Sequence, residues 1–191
     1  MRLPSTLQRL WFYRVLALLT TAILVHLAAI WAAPRLLMHI VMDGPQARSL
    51  GMHNRAAYPA PITAASRMVV MPSPDLLYSV CAYDLSAGPL RVQADPRLPT
   101  YWSIALYSDR SDNFFVINDR QAADRPVDLW LSAPGGNASA DPVPSGSQVV
   151  VSPSVKGFLL MRVLTSDYAA EKDRVEPARR TLTCTPQTAK A

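Results

Sequence analysis

YWSIALYSDRSDNFFVIN, residues 101–118, reads as two short strands joined by a turn. Successive residues of an extended chain project to opposite sides, so Trp102, Ile104 and Leu106 share one face and Tyr101, Ser103, Ala105 and Tyr107 the other. Residues 108–112 are turn formers whose Ser and Asp side chains bond local backbone, and residues 113–118 return as the second arm. A period of two with aromatic and β-branched residues identifies this stretch as β structure.

Working outward, apolar and β-branched runs recur with turn signals between them at 67–71, 76–85, 90–93, 127–131, 148–151 and 158–164. Residues 76–85 and 90–93 flank Ser86, Ala87, Gly88 and Pro89 and are expected to form a hairpin. Short strands at this spacing, in a chain of 17 prolines many of which fall between the runs, predict a mainly β domain, a β-sandwich or a twisted antiparallel sheet. A short C-terminal helix is predicted over 167–180, with Asp167 as N-cap, Glu171 and Val175 on one face, and Pro177 ending or kinking it. Residues 132–147 hold little to bury and read as a surface loop. Gly135 and Gly136 there lack the Lys and Ser or Thr of a phosphate cradle, and Asn137, Ala138 and Ser139 form a sequon that matters only in a eukaryotic secretory pathway.

Before this β region, residues 15–33 form a run of 19 without a formally charged side chain. At about 1.5 Å per residue the run covers roughly 28 Å, close to the hydrocarbon core of a bilayer. Arg2, Arg9 and Arg14 precede it, and Trp11, Tyr13 and Trp31 flank it. The expected arrangement is a cytoplasmic tail at 1–14, a transmembrane helix at 15–33, a juxtamembrane helix and connector at 34–66, and an extracytoplasmic β-rich domain at 67–185. Trp31 and Pro34 disfavour a signal-peptidase cut after Ala33, so a retained anchor is expected. His26, inside the run, reads as a tolerated neutral imidazole. Leu36, Leu37, Ile40 and Val41 extend the apolar character and are candidate partner-docking residues.

The net charge of +5 comes from 19 basic and 14 acidic residues, three of the basic ones preceding the apolar run, which leaves 16 against 14. The basicity is mostly a topology signal, and no clustered basic face suggests nucleic acid. Cys81 and Cys184 are the only cysteines, compatible equally with a disulfide in an oxidising compartment and with two separate thiols. Their spacing matches no zinc motif, and His39 and His53 lack paired ligands, so neither metal nor cofactor is expected.

Residues 72–89, PSPDLLYSVCAYDLSAGP, resemble the start of the bacterial family known as domain of unknown function 1254, at Asp75, Tyr78, Ser79, Asp84, Leu85, Ser86, Gly88 and Pro89. Further similar blocks are Arg97 with residues 101–107, residues 149–153, Arg162 and residues 167–180, so the resemblance covers roughly 66–185. The family often has Asn before its Asp, where this chain has Ser73 and Pro74, which removes any role of that amide. Family members commonly continue into a second domain of unknown function, 1214. For a short anchored version the resemblance implies the inner membrane, a periplasmic domain, and a companion membrane-anchored protein of that second type.

Asp75, Tyr78, Tyr101 and Tyr107 are the candidate ligand-binding residues, since carboxylates serve acid and base roles and tyrosine faces stack on rings. Asp84, Asp109 and Asp112 lie at predicted turns, where Asp serves the backbone alone. With no histidine beyond His53, a Ser-His-Asp triad is disfavoured, as is a Cys81–His53 pair. Two readings follow. The preferred one is a non-catalytic binding or assembly module of the cell envelope working beside a companion membrane protein. The alternative is half of a composite, hydrolase-like envelope enzyme whose site the companion completes; transport is disfavoured for a single span.

Overall fold

The computed structural model describes residues 5–63, 66, 72–135 and 143–187. The chain divides into two compact units, Met1–Leu37 and Met38–Ala191. Helix α1 (Ser5–Asp43) contains the whole apolar run and carries Pro34 inside it. It is long and apolar enough to cross a membrane, with mean hydropathy 2.2 over its most apolar window, all of it exposed. At its first-unit end the Arg35 guanidinium lies over the Trp31 ring, 4.3 Å from the centroid, and donates to the Trp31 carbonyl.

The second unit begins with the last turn of α1, and Gly44 then admits a sharp entry into α2 (Pro45–Leu50). A Cβ at Gly44 would strike the Ile40 carbonyl oxygen, so the turn requires glycine. Eight strands follow: β1 (Leu76–Asp84), β2 (Leu90–Ala94), β3 (Trp102–Ser108), β4 (Asn113–Asn118), β5 (Val127–Ser132), β6 (Gln148–Val151), β7 (Lys156–Leu164) and β8 (Thr183–Pro186). A short helix α3 (Asp119–Ala122) follows β4, and α4 (Tyr168–Arg179) precedes β8.

The strands form two four-stranded sheets, β1-β7-β3-β4 and β6-β5-β2-β8, antiparallel except for the parallel pair β5 and β6. Alternation decides the core. Leu77, Cys81 and Tyr83 of β1, Ile104 and Leu106 of β3 and Leu159, Met161 and Val163 of β7 meet Val92, Leu129, Leu131 and Val150 of the second sheet, with Val175 of α4. The fold is thus a β-sandwich with a short C-terminal helix, as the strand pattern predicts. Cys81 and Cys184 are bonded to each other, joining an edge strand of each sheet.

The opposite face of the first sheet is covered as well. Met38 and Met42, one helical turn apart on α1, pack with Ala47, Met52 and Ala57 against Val80 and Ala82, with Leu160, Phe158 and Tyr107 partly buried alongside. Burying a side chain of methionine size contributes about 1.5–3 kcal/mol. The segment after α2 also pairs with β1: the Asn54 amide donates to the Ala82 carbonyl (2.8 Å), and Ala57 and Val80 exchange amide bonds (2.8 and 2.9 Å).

One sequence expectation needs correction, and two elements are unexpected. The hairpin of 76–85 with 90–93 does not form, because β1 belongs to one sheet and β2 to the other. The turn carrying Gly88 moves the chain across the sandwich, and Leu85 and Leu90 at its ends are both buried in the core. β8 escapes a hydrophobicity reading because only Cys184 of its four residues is buried. α3 is one turn long, set by a capping box in which Asn118 and Gln121 bond each other's amides. The hairpin of β3 and β4 is present, with a register shift at Leu106/Tyr107, and Asp167 caps α4 by accepting from the Ala169 and Ala170 amides. The expected strand at 67–71 and the sequon at 137–139 lie outside the described residues.

Candidate functional site

The face of the first sheet that points away from the sandwich core gathers the candidate side chains. Register places Tyr78 of β1, Arg162 of β7 and Ser103 of β3 in one row across three strands. Tyr107, four residues along β3 from Ser103, reaches back so that its hydroxyl accepts from Arg162 Nη2 at 2.8 Å. Arg162 Nε is buried and has no hydrogen-bond partner among the described residues. The Tyr78 hydroxyl accepts from the Ser73 amide at 3.0 Å. Tyr101 stands one residue ahead of β3 and is exposed, while Asp75 is exposed in the turn before β1, its carbonyl accepting from the Thr165 amide at 2.9 Å. The structure therefore brings Tyr78 and Tyr107 to one face around Arg162 and leaves Asp75 and Tyr101 at its margin.

An arginine and two phenols supply donors and a fixed positive charge. Such a set orients a polar or anionic group. The carboxylates of Asp84 and Asp112 serve local structure. Burial works to raise the Asp84 carboxyl, but bonds from Ser86 and the Lys156 ammonium at 3.2 Å outweigh it and hold the carboxyl low. Asp112 accepts from the Ser108 hydroxyl, and the Asp109 backbone amide donates to Ser154 Oγ at 3.1 Å.

Two polar clusters have no simple sequence signature. Arg179, 2% exposed, donates to both Glu176 oxygens and to the Pro59 and Tyr78 carbonyls at 2.7–3.0 Å, tying the connector, β1 and α4 together. Tyr58 adds to this tie: its hydroxyl donates to the Leu182 carbonyl at 2.7 Å, and Arg180 sits 5.1 Å over its ring. The second cluster is centred on Tyr83, whose hydroxyl meets the Tyr107 carbonyl and Ser152 Oγ, both at 3.0 Å; burial pushes its pKa up to about 12. Only the i, i+3 spacing of Glu176 and Arg179 hints at either cluster.

A crevice bordered by Asp95, Arg97, Trp102, Asp119, Asp124 and Arg125 has room for about one water. Arg97 Nε is bonded to both Asp95 oxygens at 2.8 and 2.9 Å. His26 lies on a groove of α1 with Leu18, Ala22 and Ala29. Among the described residues no cluster of three His, Cys, Asp or Glu side chains is placed to hold a metal. Of the docking candidates, Leu36, Leu37 and Ile40 are exposed and Val41 is half-buried.

The family described as protein of unknown function, DUF1254, matches residues 53–186. No curated protein matches the chain. The chain is similar in fold to the VPA0106 protein of Vibrio parahaemolyticus, with TM-score 0.64, 14% identity, and coverage of 83% of this chain and 37% of that one. An uncharacterised protein of Burkholderia cenocepacia is more distantly similar, with TM-score 0.45, 15% identity, and coverage of 61% of this chain and 33% of that one. The chain thus spans well under half the length of either solved protein.

Proposed function

The chain belongs to the DUF1254 family of proteins of unknown function, and from that footing we propose that it is a membrane-tethered binding or assembly module of the cell envelope. In this reading α1 is a retained single-pass anchor, the N-terminal arginines stay cytoplasmic, and the sandwich works on the far side beside a companion membrane-anchored protein. The observation that carries it is a 39-residue helix leading into a domain closed by a disulfide. Structural disulfides persist in oxidising compartments, which favours the extracytoplasmic side. The Arg162 face supports a binding role, because Arg162 Nε is buried there with no hydrogen-bond partner among the described residues. That the Vibrio protein carries a similar fold as 37% of its chain supports a domain that acts beside others.

The test combines carbonate-washed membrane fractionation, a C-terminal alkaline phosphatase fusion, and mass spectrometry of what stays bound after mild detergent extraction. The expected result is a chain retained in membranes, an active phosphatase, and a stoichiometric companion of the domain of unknown function 1214 type. A soluble mature chain starting near Pro34 overturns the tether. A membrane-retained chain that elutes without a companion overturns the partnership.

A further inference from the structure

Four strands bound the two sheets, and they differ in how their outer edges are treated. The outer edge of β1 is occupied by the connector, through the Met52, Asn54 and Ala57 backbone. The partner register of β4 shifts at one end, and at the other the Asn118 amide is taken by Gln121 Oε1 at 3.0 Å. β8 ends in Pro186, which offers no amide to the outer side, while the next amide, of Gln187, turns inward to the Pro89 carbonyl beside β2 at 2.8 Å. Among the described residues no segment covers the outer edge of β6, and its nearest proline, Pro153, lies two residues beyond the strand. No charged residue occurs from 143 to 155, and Val149 and Val151 are 41% and 54% exposed. Proteins ordinarily blunt such edges with charge, proline, a bulge or a covering segment.

The backbone direction along β6 follows from its register. The Ser152 amide donates to the Ser132 carbonyl at 2.9 Å, so Ser152 faces β5, and by alternation Val150 and Gln148 do too. Val149 and Val151 therefore turn their amides and carbonyls outward, and neither has a partner among the described residues. Val150 directs its side chain into the core.

We propose that this edge pairs with β6 of a second copy of the chain. An antiparallel two-fold arrangement centred on Val150 sets Val149 of one copy opposite Val151 of the other, twice over. The two residues with outward backbone groups then face two of the same kind, giving four amide-to-carbonyl bonds. Gln148 falls opposite Ser152, so a polar, Val, Val, Val, polar strand meets itself in a register that conserves every face. No charge opposes a like charge, and the exposed valines become β-branched cross-strand pairs. The result is one eight-stranded sheet across a closed two-fold interface. This inference stands apart from the membrane reading, since the edge belongs to the sandwich alone.

The experiment is the mass of the full-length protein in detergent, by light scattering during gel filtration, for the wild type and three variants. Val151→Lys places a charge on the interface, Val151→Pro removes an outward amide that the monomer does not use, and Val155→Lys is an exposed control beyond the strand. The expected result is a wild-type and Val155→Lys dimer, with association weakened roughly tenfold or more in both Val151 variants at unchanged melting temperature. A wild type that is monomeric at every concentration overturns the proposal. So does a dimer that persists in folded Val151→Lys and Val151→Pro, which places association elsewhere, or an unlike chain that occupies β6 and is lost in those variants.

Discussion

The Tyr83 hydroxyl stands where any side chain on Gly157, its partner across β1 and β7, would have to begin. The phenol is held there by the Tyr107 carbonyl and Ser152 Oγ. Ser152 in turn donates to the Ser154 carbonyl at 2.6 Å. The glycine is thus set by the Tyr83 phenol and the Tyr107 backbone carbonyl that crowd it, and not by its own backbone angles.

Gly157→Ala should destabilise the domain by about 1–3 kcal/mol, the usual cost of forcing an extra carbon into a packed core. Denaturant unfolding reads this as a lower midpoint at unchanged slope. A midpoint within error of the wild type would mean that both Tyr83 and the β3 backbone at Tyr107 give way freely.

Tyr83 also predicts an alkaline limit. Its neutral phenol is favoured in the fold, with a pKa raised from near 10 to about 12. The stability it contributes is fully present below pH 10 and is lost as pH rises from there through about 12. Tyr83→Phe should remove this step, while costing about 1 kcal/mol at neutral pH through the lost hydrogen bonds. Melting temperature against pH for the two proteins checks both halves, and parallel curves above pH 10 would refute the assignment.

The Cys81–Cys184 bond closes a sequence separation of 103 residues between edge strands of different sheets. Replacing both with alanine should cost about 2–5 kcal/mol, chiefly by freeing the unfolded chain. Reductant should lower the melting temperature of the wild type and leave the double variant unmoved. Cys81 is fully buried, so reduction should also proceed only as fast as the domain opens.

Arg179→Met would leave the Pro59 and Tyr78 carbonyls without their donor and Glu176 with only Tyr168 and Arg180, at an expected cost of about 3 kcal/mol in denaturant unfolding. Acid should attack the same tie. Burial alone would raise the Glu176 carboxyl, but the bonds from Arg179 and Tyr168 outweigh it and hold it low. Bonding to Arg91 likewise depresses Asp128. A depressed carboxyl contributes stability above its unfolded pKa, so this stability should be intact above pH 5 and fade as pH falls through the carboxylate range. Arg179→Met should flatten that acid limb, and an unchanged limb would place the acid sensitivity elsewhere.

Local pattern alone fixes the long apolar helix, most of the strands, the hairpin of β3 and β4, and the Asp167 cap of α4. These depend on nearest-neighbour alternation, helical spacing and capping, all of which act within a few residues. Which strands pair is decided by packing between distant segments: the 86–89 turn looks like a hairpin turn until two apolar faces must close on each other, and then it carries the chain between sheets. The same holds for the candidate residues. Tyr78 and Tyr107 are visible as tyrosines on strands, but only register sets them around Arg162 and leaves Asp75 outside. Met38 and Met42 read as an extension of the anchor, and only the tertiary fold turns them onto the first sheet, because its outer face is apolar at Val80 and Ala82 and has to be covered. Composition likewise left Cys81 and Cys184 equally able to bond or stay apart; the sandwich joins them because it lays β1 of one sheet beside β8 of the other.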